Sequence, residues 1–251
     1  MTVSSPRKNK RRLDQLLVER GLAPSRERAQ ALVLAGKVLI GERVVDKAGQ
    51  QVADDAELRL REPDHPWASR GGLKLIKAVE AFGLAHEISD AVCADIGAST
   101  GGFTDVLLTS GARRVFAIDV GQGQLAWKLA SDPRVVVMDK TNVRNLEALP
   151  ERPTVVVIDV SFISLTLVLP RVAVLAPGAR LVALVKPQFE VGPADVGKGG
   201  VVRDVAARDG AVEKVAAFAR AAGFVVEGVV ESPITGPAGN VEFLLVGRVP
   251  A

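Results

Sequence analysis

Short apolar runs alternate with longer amphipathic stretches over residues 91–246, and this alternation restricts the possible fold more than any other feature. The runs are rich in Val, Ala and Ile and carry few charges, which is typical of strands buried on both faces of a parallel sheet. Alternating strands and helices indicate an α/β fold with a mainly parallel sheet, in which ligands bind beyond the carboxyl ends of the strands. The predicted strands are Ala91–Asp95, Arg114–Asp119, Arg134–Met138, Thr154–Asp159, Arg180–Lys186, Phe224–Val230 and Val241–Val246, and the predicted helices are Thr104–Ser110, Gln124–Ala130, Ser164–Leu175 and Val205–Ala222.

The composition excludes several classes of protein. The chain has no run of 18 apolar residues to span a membrane and no apolar leader at its N-terminus. A single cysteine, Cys93, excludes internal disulfides and cysteine-cluster zinc sites, and only two histidines, His65 and His86, are present. We therefore expect a soluble cytoplasmic protein with no metal and no stable membrane association, with Cys93 in the core and both histidines on the surface.

The formal charge is divided unevenly along the chain. Residues 1–50 contain eleven Lys and Arg but five Asp and Glu, a net charge of +6, so that residues 51–251 hold −3 of the total of +3. Five of the positive charges lie in residues 7–12, which are expected to form a solvated basic tail. The segment Arg61–Ser69, REPDHPWAS, has the prolines and polar residues of a linker. We predict a small basic domain at residues 1–61, a linker at residues 62–69 and a larger domain at residues 70–251.

The basic domain has a pattern of two helices followed by short strands. Leucines recur at helical spacing from Leu13 to Leu17, and Ser25 is the expected N-cap of a second helix that ends at Gly36. Strands are expected at Lys37–Ile40, Glu42–Val45 and Glu57–Leu60.

This pattern, carried by the string RLDQLLVERGLAPSRERAQALVLAGKVLIGERVV at residues 12–45, resembles the S4-like RNA-binding domain. The resemblance implies binding of structured RNA through its shape and its phosphates, which does not require the aromatic residues that this tyrosine-free chain lacks. A small helical protein-interaction module is the alternative. The candidate RNA-contacting residues are Arg11, Arg12, Ser25, Arg26, Arg28 and Lys37.

Acidic residues end successive predicted strands of the larger domain. A glycine-rich loop, Gly97–Thr104, follows the first of them, and a carboxylate 22 residues after Gly97 suits hydrogen bonding to ribose. The loop lacks the G-x-G-x-x-G pattern that a dinucleotide pyrophosphate requires, and the surrounding acids suit a cationic sulfonium better. S-adenosylmethionine is therefore favoured over a nicotinamide dinucleotide. The candidate cofactor-binding residues are Asp95, Gly97, Ser99, Gly101, Gly102, Phe103, Asp119, Asp139 and Asp159.

Six ordered motifs identify the chain as resembling the TlyA (haemolysin A) family. They are SRGGLKL, DIGASTGGFTDVLL, DVGQGQLAWKL, DVSFISL, LVKPQFEVG and SPITGPAGNVEFLL. The resemblance implies a ribosomal RNA 2′-O-methyltransferase in which an S4-like domain precedes a Rossmann-like, class I methyltransferase domain of the FtsJ type. It also implies that Lys74, Asp159, Lys186 and Glu242 form a Lys-Asp-Lys-Glu catalytic tetrad.

The chemistry of ribose methylation assigns roles to these four residues. Lys186 is expected to act as the general base for the 2′-hydroxyl, and Lys74 to stabilise the developing alkoxide. Asp159 would orient the lysine, and Glu242 would fix the lysines and the ribose. The same family resemblance implies that the substrate is a cytidine of 23S rRNA in the 50S subunit, with 16S rRNA in the 30S subunit as a further candidate.

Three other functions compete with this one. They are a membrane-active haemolysin, a non-catalytic ribosome-binding factor and a dinucleotide-dependent reductase. The glycine-rich segment Val191–Asp204 is predicted to be either a mobile loop that closes over RNA or an ordinary surface loop.

Overall fold

The computed structural model describes residues 10–61 and 65–251. The chain divides into two compact units, Met1–Pro66 and Trp67–Ala251. Part of the predicted basic tail, including Arg7 and Lys8, and residues 62–64 of the predicted linker lie outside the described residues.

The first unit contains the two predicted helices, packed on small antiparallel ladders. Its apolar core is formed by the buried faces of both helices together with Val38, Val45 and Val52. Ser25 caps the second helix by accepting a hydrogen bond from the backbone N–H of Arg28 at 3.2 Å. The elements are β1 (Lys10–Arg12), α1 (Leu13–Glu19), α2 (Arg26–Leu34), β2 (Val38–Ile40), β3 (Arg43–Val44), β4 (Gln51–Ala53) and β5 (Leu58–Leu60).

The expectation that residues 10–12 form a solvated tail is wrong. They form β1, which pairs antiparallel with β4, so that Lys10 lies opposite Ala53. The helices and the strands β2, β3 and β5 lie where the sequence predicts them, with β2 between β3 and β5.

The second unit is a doubly wound α/β layer. Within residues 65–251, seven strands form one sheet in the order β11-β12-β10-β9-β6-β7-β8. All pairs are parallel except those of β12, which runs antiparallel to β10 and β11. The strands are β6 (Val92–Ile96), β7 (Arg114–Ile118), β8 (Val135–Met138), β9 (Val155–Ile158), β10 (Arg180–Val185), β11 (Val225–Glu231) and β12 (Phe243–Arg248).

Helices cover both faces of this sheet and create two apolar layers. One layer contains Phe116, Ile158 and Leu169, and the other contains Leu75, Leu107 and Val157. Val157 and Ile158 are adjacent in β9 and point to opposite layers, as expected for a strand with no solvent-facing side. The helices are α3 (Gly71–Ala81), α4 (Ala85–Ile88), α5 (Gly102–Thr109), α6 (Trp127–Ala130), α7 (Leu169–Leu175), α8 (Pro187–Glu190) and α9 (Val205–Ala221).

All seven predicted strands of this sheet are present, and its mainly parallel order is confirmed. The helices α3, α4 and α8 were not predicted from the sequence. The predicted helix Gln124–Ala130 is too long, since Gln124–Ala126 forms a loop and α6 begins at Trp127. None of the helices in the described part of the chain is long and apolar enough to cross a membrane.

Candidate active site

The glycine-rich loop after β6 follows a path that side chains would block. Gly97 has a φ of +87°, and a Cβ there would lie 2.3 Å from the carbonyl oxygen of Asp159. A Cβ on Gly102 would lie 2.3 Å from the hydroxyl oxygen of Ser69. The loop therefore approaches neighbouring chain segments closely, which only glycine permits.

Two cavities adjoin this loop at the carboxyl ends of the strands. The larger has a volume of about 960 Å³, and its wall combines apolar residues such as Ile96 and Ile118 with the carboxylates of Asp119 and Asp159. The smaller has a volume of about 220 Å³. Gly97, Ser99, Asp159 and Ser161 line both cavities, so they are neighbouring parts of one site.

The smaller cavity contains all four residues of the predicted tetrad. Lys74, Asp159, Lys186 and Glu242 line it together with the predicted loop residues Gly97, Ser99, Gly102 and Phe103. The sequence separates Lys74 from Glu242 by 168 residues, and the fold brings them together.

Lys74 and Glu242 form one buried ion pair. Nζ of Lys74 donates to Oε2 of Glu242 at 2.5 Å, and the side chains are 7% and 1% exposed. Lys74 projects from α3, and Glu242 directly precedes β12. Separating two buried charges that are in contact has a large free-energy cost, so each side chain fixes the position of the other in the cavity wall.

Lys186 and Asp159 form a second pair across the ends of β10 and β9. Nζ of Lys186 lies 2.7 Å from Oδ1 of Asp159 and also donates to the hydroxyl of Ser161 at 2.8 Å. The sequence reading missed Ser161. A hydroxyl two residues after a strand-terminal acid has no distinctive pattern, and only the parallel pairing of β9 with β10 brings it to the lysine.

The acidic strand ends have different roles in the structure. Asp119 lines the larger cavity, and its two oxygens accept the backbone N–H groups of Ser99 and Gly121 at 2.8 and 2.7 Å. Asp139 accepts the N–H of Gly123 at 2.7 Å and lines neither cavity. Asp119 therefore ties the glycine loop to the segment after β7, and Asp139 holds the turn that follows.

Asp95 lies beneath the loop and not on the cavity wall. Its side chain is fully buried, and one oxygen accepts the Thr104 hydroxyl at 2.7 Å. The other oxygen has no hydrogen-bond partner among the described residues. Burial, together with the nearby charges of Asp159 and Asp119, raises the pKa of Asp95 to about 7 although the Thr104 bond opposes the shift.

Several other predicted site residues serve packing. Phe103 of α5 is buried in an apolar layer, and Gly101 leaves room for Leu129, whose side chain a Cβ would meet at 2.2 Å. Trp67 packs against the same layer over Gly72. Cys93 is fully buried, and burial raises its pKa to about 12, so its thiol is an inert part of the core.

All four arginines predicted to contact RNA are engaged within the first unit. Arg12 donates two hydrogen bonds to the buried carboxylate of Asp14 at 3.0 and 2.8 Å, and Arg26 donates a third at 3.2 Å. Arg11 pairs with Glu19, and Arg28 donates to the carbonyl of His65 at 3.1 Å. The Arg12 bonds, more than any other interaction, hold the pKa of Asp14 well below its usual range.

Three further observations concern His65, possible metal ligands and the segment at residues 191–204. The placement of His65 on the surface is wrong, because this residue is buried. No group of three or more potential metal ligands occurs among residues 10–61 and 65–251. The segment at residues 191–204 is tied to the chain before Glu242, because the Asn240 amide accepts from Val202 N–H at 3.0 Å and donates to the Gly200 carbonyl at 2.8 Å.

Comparisons with known proteins identify both units. Residues 11–58 match the S4 domain, and residues 67–249 match the FtsJ-like methyltransferase family. With the observed sheet order, these matches confirm the predicted Rossmann-like methyltransferase fold with an N-terminal S4-like domain.

Relatives match this chain over most of its length. The chain is 50% identical over 238 residues to the 16S/23S rRNA (cytidine-2′-O)-methyltransferase TlyA of Mycobacterium tuberculosis. The aligned region covers 93% of this chain and 88% of that relative. It is 40% identical to Hemolysin A of Brachyspira hyodysenteriae over 93% of this chain and 98% of that protein. A solved chain from Streptococcus thermophilus that carries a hemolysin name superposes with a TM-score of 0.74 at 44% identity, covering 97% of this chain and 90% of that one. The chain therefore belongs to the TlyA family, in which an S4 domain is joined to an FtsJ-like methyltransferase domain.

Proposed function

We propose that this protein methylates the ribose 2′-hydroxyl of a cytidine in ribosomal RNA, with S-adenosylmethionine as the methyl donor. The proposed substrate is 23S rRNA in the 50S subunit, with 16S rRNA in the 30S subunit as a second substrate, both in the cytoplasm. The observation that carries the proposal is that two lysine–carboxylate pairs line a single cavity beside the glycine-rich loop. Membership of the family and the activity for which the mycobacterial relative is named support it.

The residues around the larger cavity fit the proposed cofactor. Apolar side chains such as Ile118 and Val143 suit an adenine ring, and Asp119 offers a carboxylate at the position where a ribose is expected. Where the cavities meet, Asp159 supplies negative charge for a sulfonium, and the absence of a Cβ on Gly97 lets the loop pass close to it. When bound, S-adenosylmethionine supplies an electrophilic methyl group at this point.

The residues of the smaller cavity supply the acid–base chemistry. As the ribose oxygen bonds to the methyl carbon, the bond between that carbon and the sulfonium sulfur would break, and Nζ of Lys186 would accept the hydroxyl proton. The bond to Ser161 orients this nitrogen, and Asp159 stabilises the ammonium that results. The ammonium of Lys74, held by Glu242, stabilises the negative charge that develops on the oxygen.

The two units divide the work in this proposal. Residues 1–61 bind folded rRNA, and residues 62–69 link the two units. Residues 70–251 bind the cofactor and transfer its methyl group. Because the S4-like unit has no tyrosine and no tryptophan, contacts to phosphates and to RNA shape carry its binding.

A methylation assay on isolated particles tests the proposal. Purified protein is incubated with labelled S-adenosylmethionine and with 30S, 50S or 70S particles, and the modified ribose is mapped. We expect label on a cytidine 2′-oxygen of 23S rRNA, and on 16S rRNA when 30S particles are supplied. Lysis of lipid vesicles without methyl transfer would favour a haemolysin, and binding of NADH in place of S-adenosylmethionine in calorimetry would favour a reductase.

A further inference from the structure

Two chain segments form the side of the active site that carries Lys186 and Asp159. Residues 159–165 follow β9, and residues 186–190 follow β10. The parallel register of the two strands ends at Ile158 opposite Ala183. Contacts beyond the sheet must therefore set the position of Lys186 relative to Asp159.

Three contacts join these segments in succession. The first joins Nζ of Lys186 to Asp159 and Ser161, inside the cavity. The second is an aromatic pair, with the rings of Phe162 and Phe189 5.1 Å apart. The third and most deeply buried is made by the carboxylate of Glu190, which is 3% exposed.

Glu190 uses both of its oxygens on the segment that follows β9. Oε2 accepts the hydroxyl of Ser164 at 2.5 Å, and Oε1 accepts the backbone N–H of Leu165 at 2.8 Å. From the opposite side, Nζ of Lys214 on α9 donates to the Glu190 backbone carbonyl at 2.6 Å. Burial raises the pKa of Glu190 although the bonds from Ser164 and Leu165 oppose the shift, so this carboxyl is held in an apolar setting at an energetic cost.

We propose that Glu190 is a positioning residue that locks these two segments together and thereby holds Lys186 against Asp159 and Ser161. Only the single turn of α8 separates Glu190 from Lys186, and the turn is rigid because it begins with Pro187 and its Phe189 N–H donates to the Lys186 carbonyl at 2.9 Å. Release of Glu190 therefore moves Lys186 relative to its partners. This inference rests on the proposed role of Lys186, where a displacement of about 1 Å costs about a hundredfold in rate.

Substitutions of Glu190 separate positioning from simple stability. With Glu190→Ala, we expect kcat to fall roughly 10- to 100-fold while the Kd for S-adenosylmethionine stays within about twofold. Glu190→Gln should recover activity to within about threefold of the wild type, because its amide oxygen accepts the Leu165 N–H and its NH₂ group donates to the Ser164 hydroxyl. Glu213→Ala, an exposed glutamate on α9, is the matched control. The kcat values are normalised to the concentration of protein that binds S-adenosylmethionine. An unchanged kcat for Glu190→Ala, or a Glu190→Gln variant as slow as Glu190→Ala, would overturn the proposal.

A second pair of measurements does not depend on the Glu190→Ala protein being stable or on wild-type activity. Ser164→Ala removes one of the two bonds from the other segment, and its effect on the free energy of unfolding should be less than additive with that of Glu190→Gln. A crystal structure of Ser164→Ala gives the separation of Lys186 Nζ from Asp159 Oδ1, which we expect to lengthen from 2.7 Å beyond about 3.5 Å, whereas Glu190→Gln, which keeps both bonds, should leave it near 2.7 Å. A separation that stays at 2.7 Å in Ser164→Ala overturns the positioning role. If the wild-type protein methylates no rRNA, the proposed function fails, whereas this distance still tests Glu190.

Discussion

Two aspartates with fully buried side chains, one in each unit, have pKa values shifted in opposite directions. Asp14 in the S4-like unit accepts hydrogen bonds from Arg12, Arg26 and Gln30, and its pKa is lowered. Among the described residues, Asp95 in the methyltransferase unit has Thr104 as its hydrogen-bond partner; it lies near two further carboxylates, and its pKa is raised to about 7. In the first unit, the buried carboxylate of Asp14 thus fixes the positions of arginine side chains. In the second unit, several carboxylates lie near one another around the cavities.

The charged side chains of the two units also differ in their exposure. Arginines held by Asp14 remain 40–49% exposed, so they keep one side toward solvent, where a phosphate can bind. In the second unit, the lysines of the active site are themselves buried and are matched by carboxylates of the cavity wall. The following predictions test whether these differences are functional, beginning with the largest effect.

Lys186→Ala should reduce methyl transfer by at least about a thousandfold, because loss of a general base costs roughly 10²–10⁴ and the lysine also orders Asp159. Affinity for S-adenosylmethionine should change little. Single-turnover transfer to 50S particles and calorimetry measure the two effects separately. Lys77→Ala, which removes an exposed lysine from α3, is the control. Transfer that survives in Lys186→Ala would assign the base to another group.

The Lys74–Glu242 pair separates function from stability. Lys74→Met alone leaves a buried, uncompensated carboxylate and should cost about 3–5 kcal/mol of unfolding free energy. The double variant Lys74→Met/Glu242→Gln removes both charges and should regain most of that stability, yet remain about a hundredfold slower in transfer. Denaturant titration and transfer rates distinguish these effects, and a fully active double variant would make the pair purely structural.

Asp95→Asn should stabilise the protein in a pH-dependent manner. Because the pKa of Asp95 in the folded state is above its unfolded value of 3.8, the stability contributed by the neutral carboxyl is fully present below about pH 4 and is lost as pH rises through 7. The variant avoids this loss, so its advantage should grow to at most about 4 kcal/mol at pH 8 and vanish near pH 4. Unfolding free energies at both pH values measure it. An equal effect at both would contradict an ionised, desolvated Asp95.

The sequence predicts the architecture of the second unit well because its strands are continuous Val, Ala and Ile runs that no other element accommodates. The sequence is a poor guide to elements that form only by pairing with residues far away in the chain. The three residues Lys10–Arg12 resemble a solvated tail until Gln51–Ala53 pairs with them. Within the site, the charged tetrad stands out among apolar residues, whereas Ser161 and Glu190 acquire their roles only through contacts across neighbouring strands.

The smallest expected effect tests the arginines of the S4-like unit. Asp14→Asn removes the charge that Arg12 and Arg26 share, and we expect a loss of about 1–2 kcal/mol of unfolding free energy at pH 7. The pKa of Asp14 is lowered by folding, so its contribution is present above the unfolded value of 3.8 and is lost as pH falls below it. The difference between wild type and variant should therefore shrink toward pH 2.

The same variant frees both arginines for phosphate contacts. Affinity for the isolated rRNA target should rise about two- to fivefold at low salt, with a steeper dependence on salt. Asp46→Asn changes the net charge of the unit equally at an exposed site, and so controls for long-range attraction. A larger gain with Asp14→Asn than with Asp46→Asn would show that Asp14 holds RNA-binding cations partly neutralised. Equal gains would mean that Arg12 and Arg26 serve the fold alone, and that the phosphate-binding groups lie elsewhere on the unit.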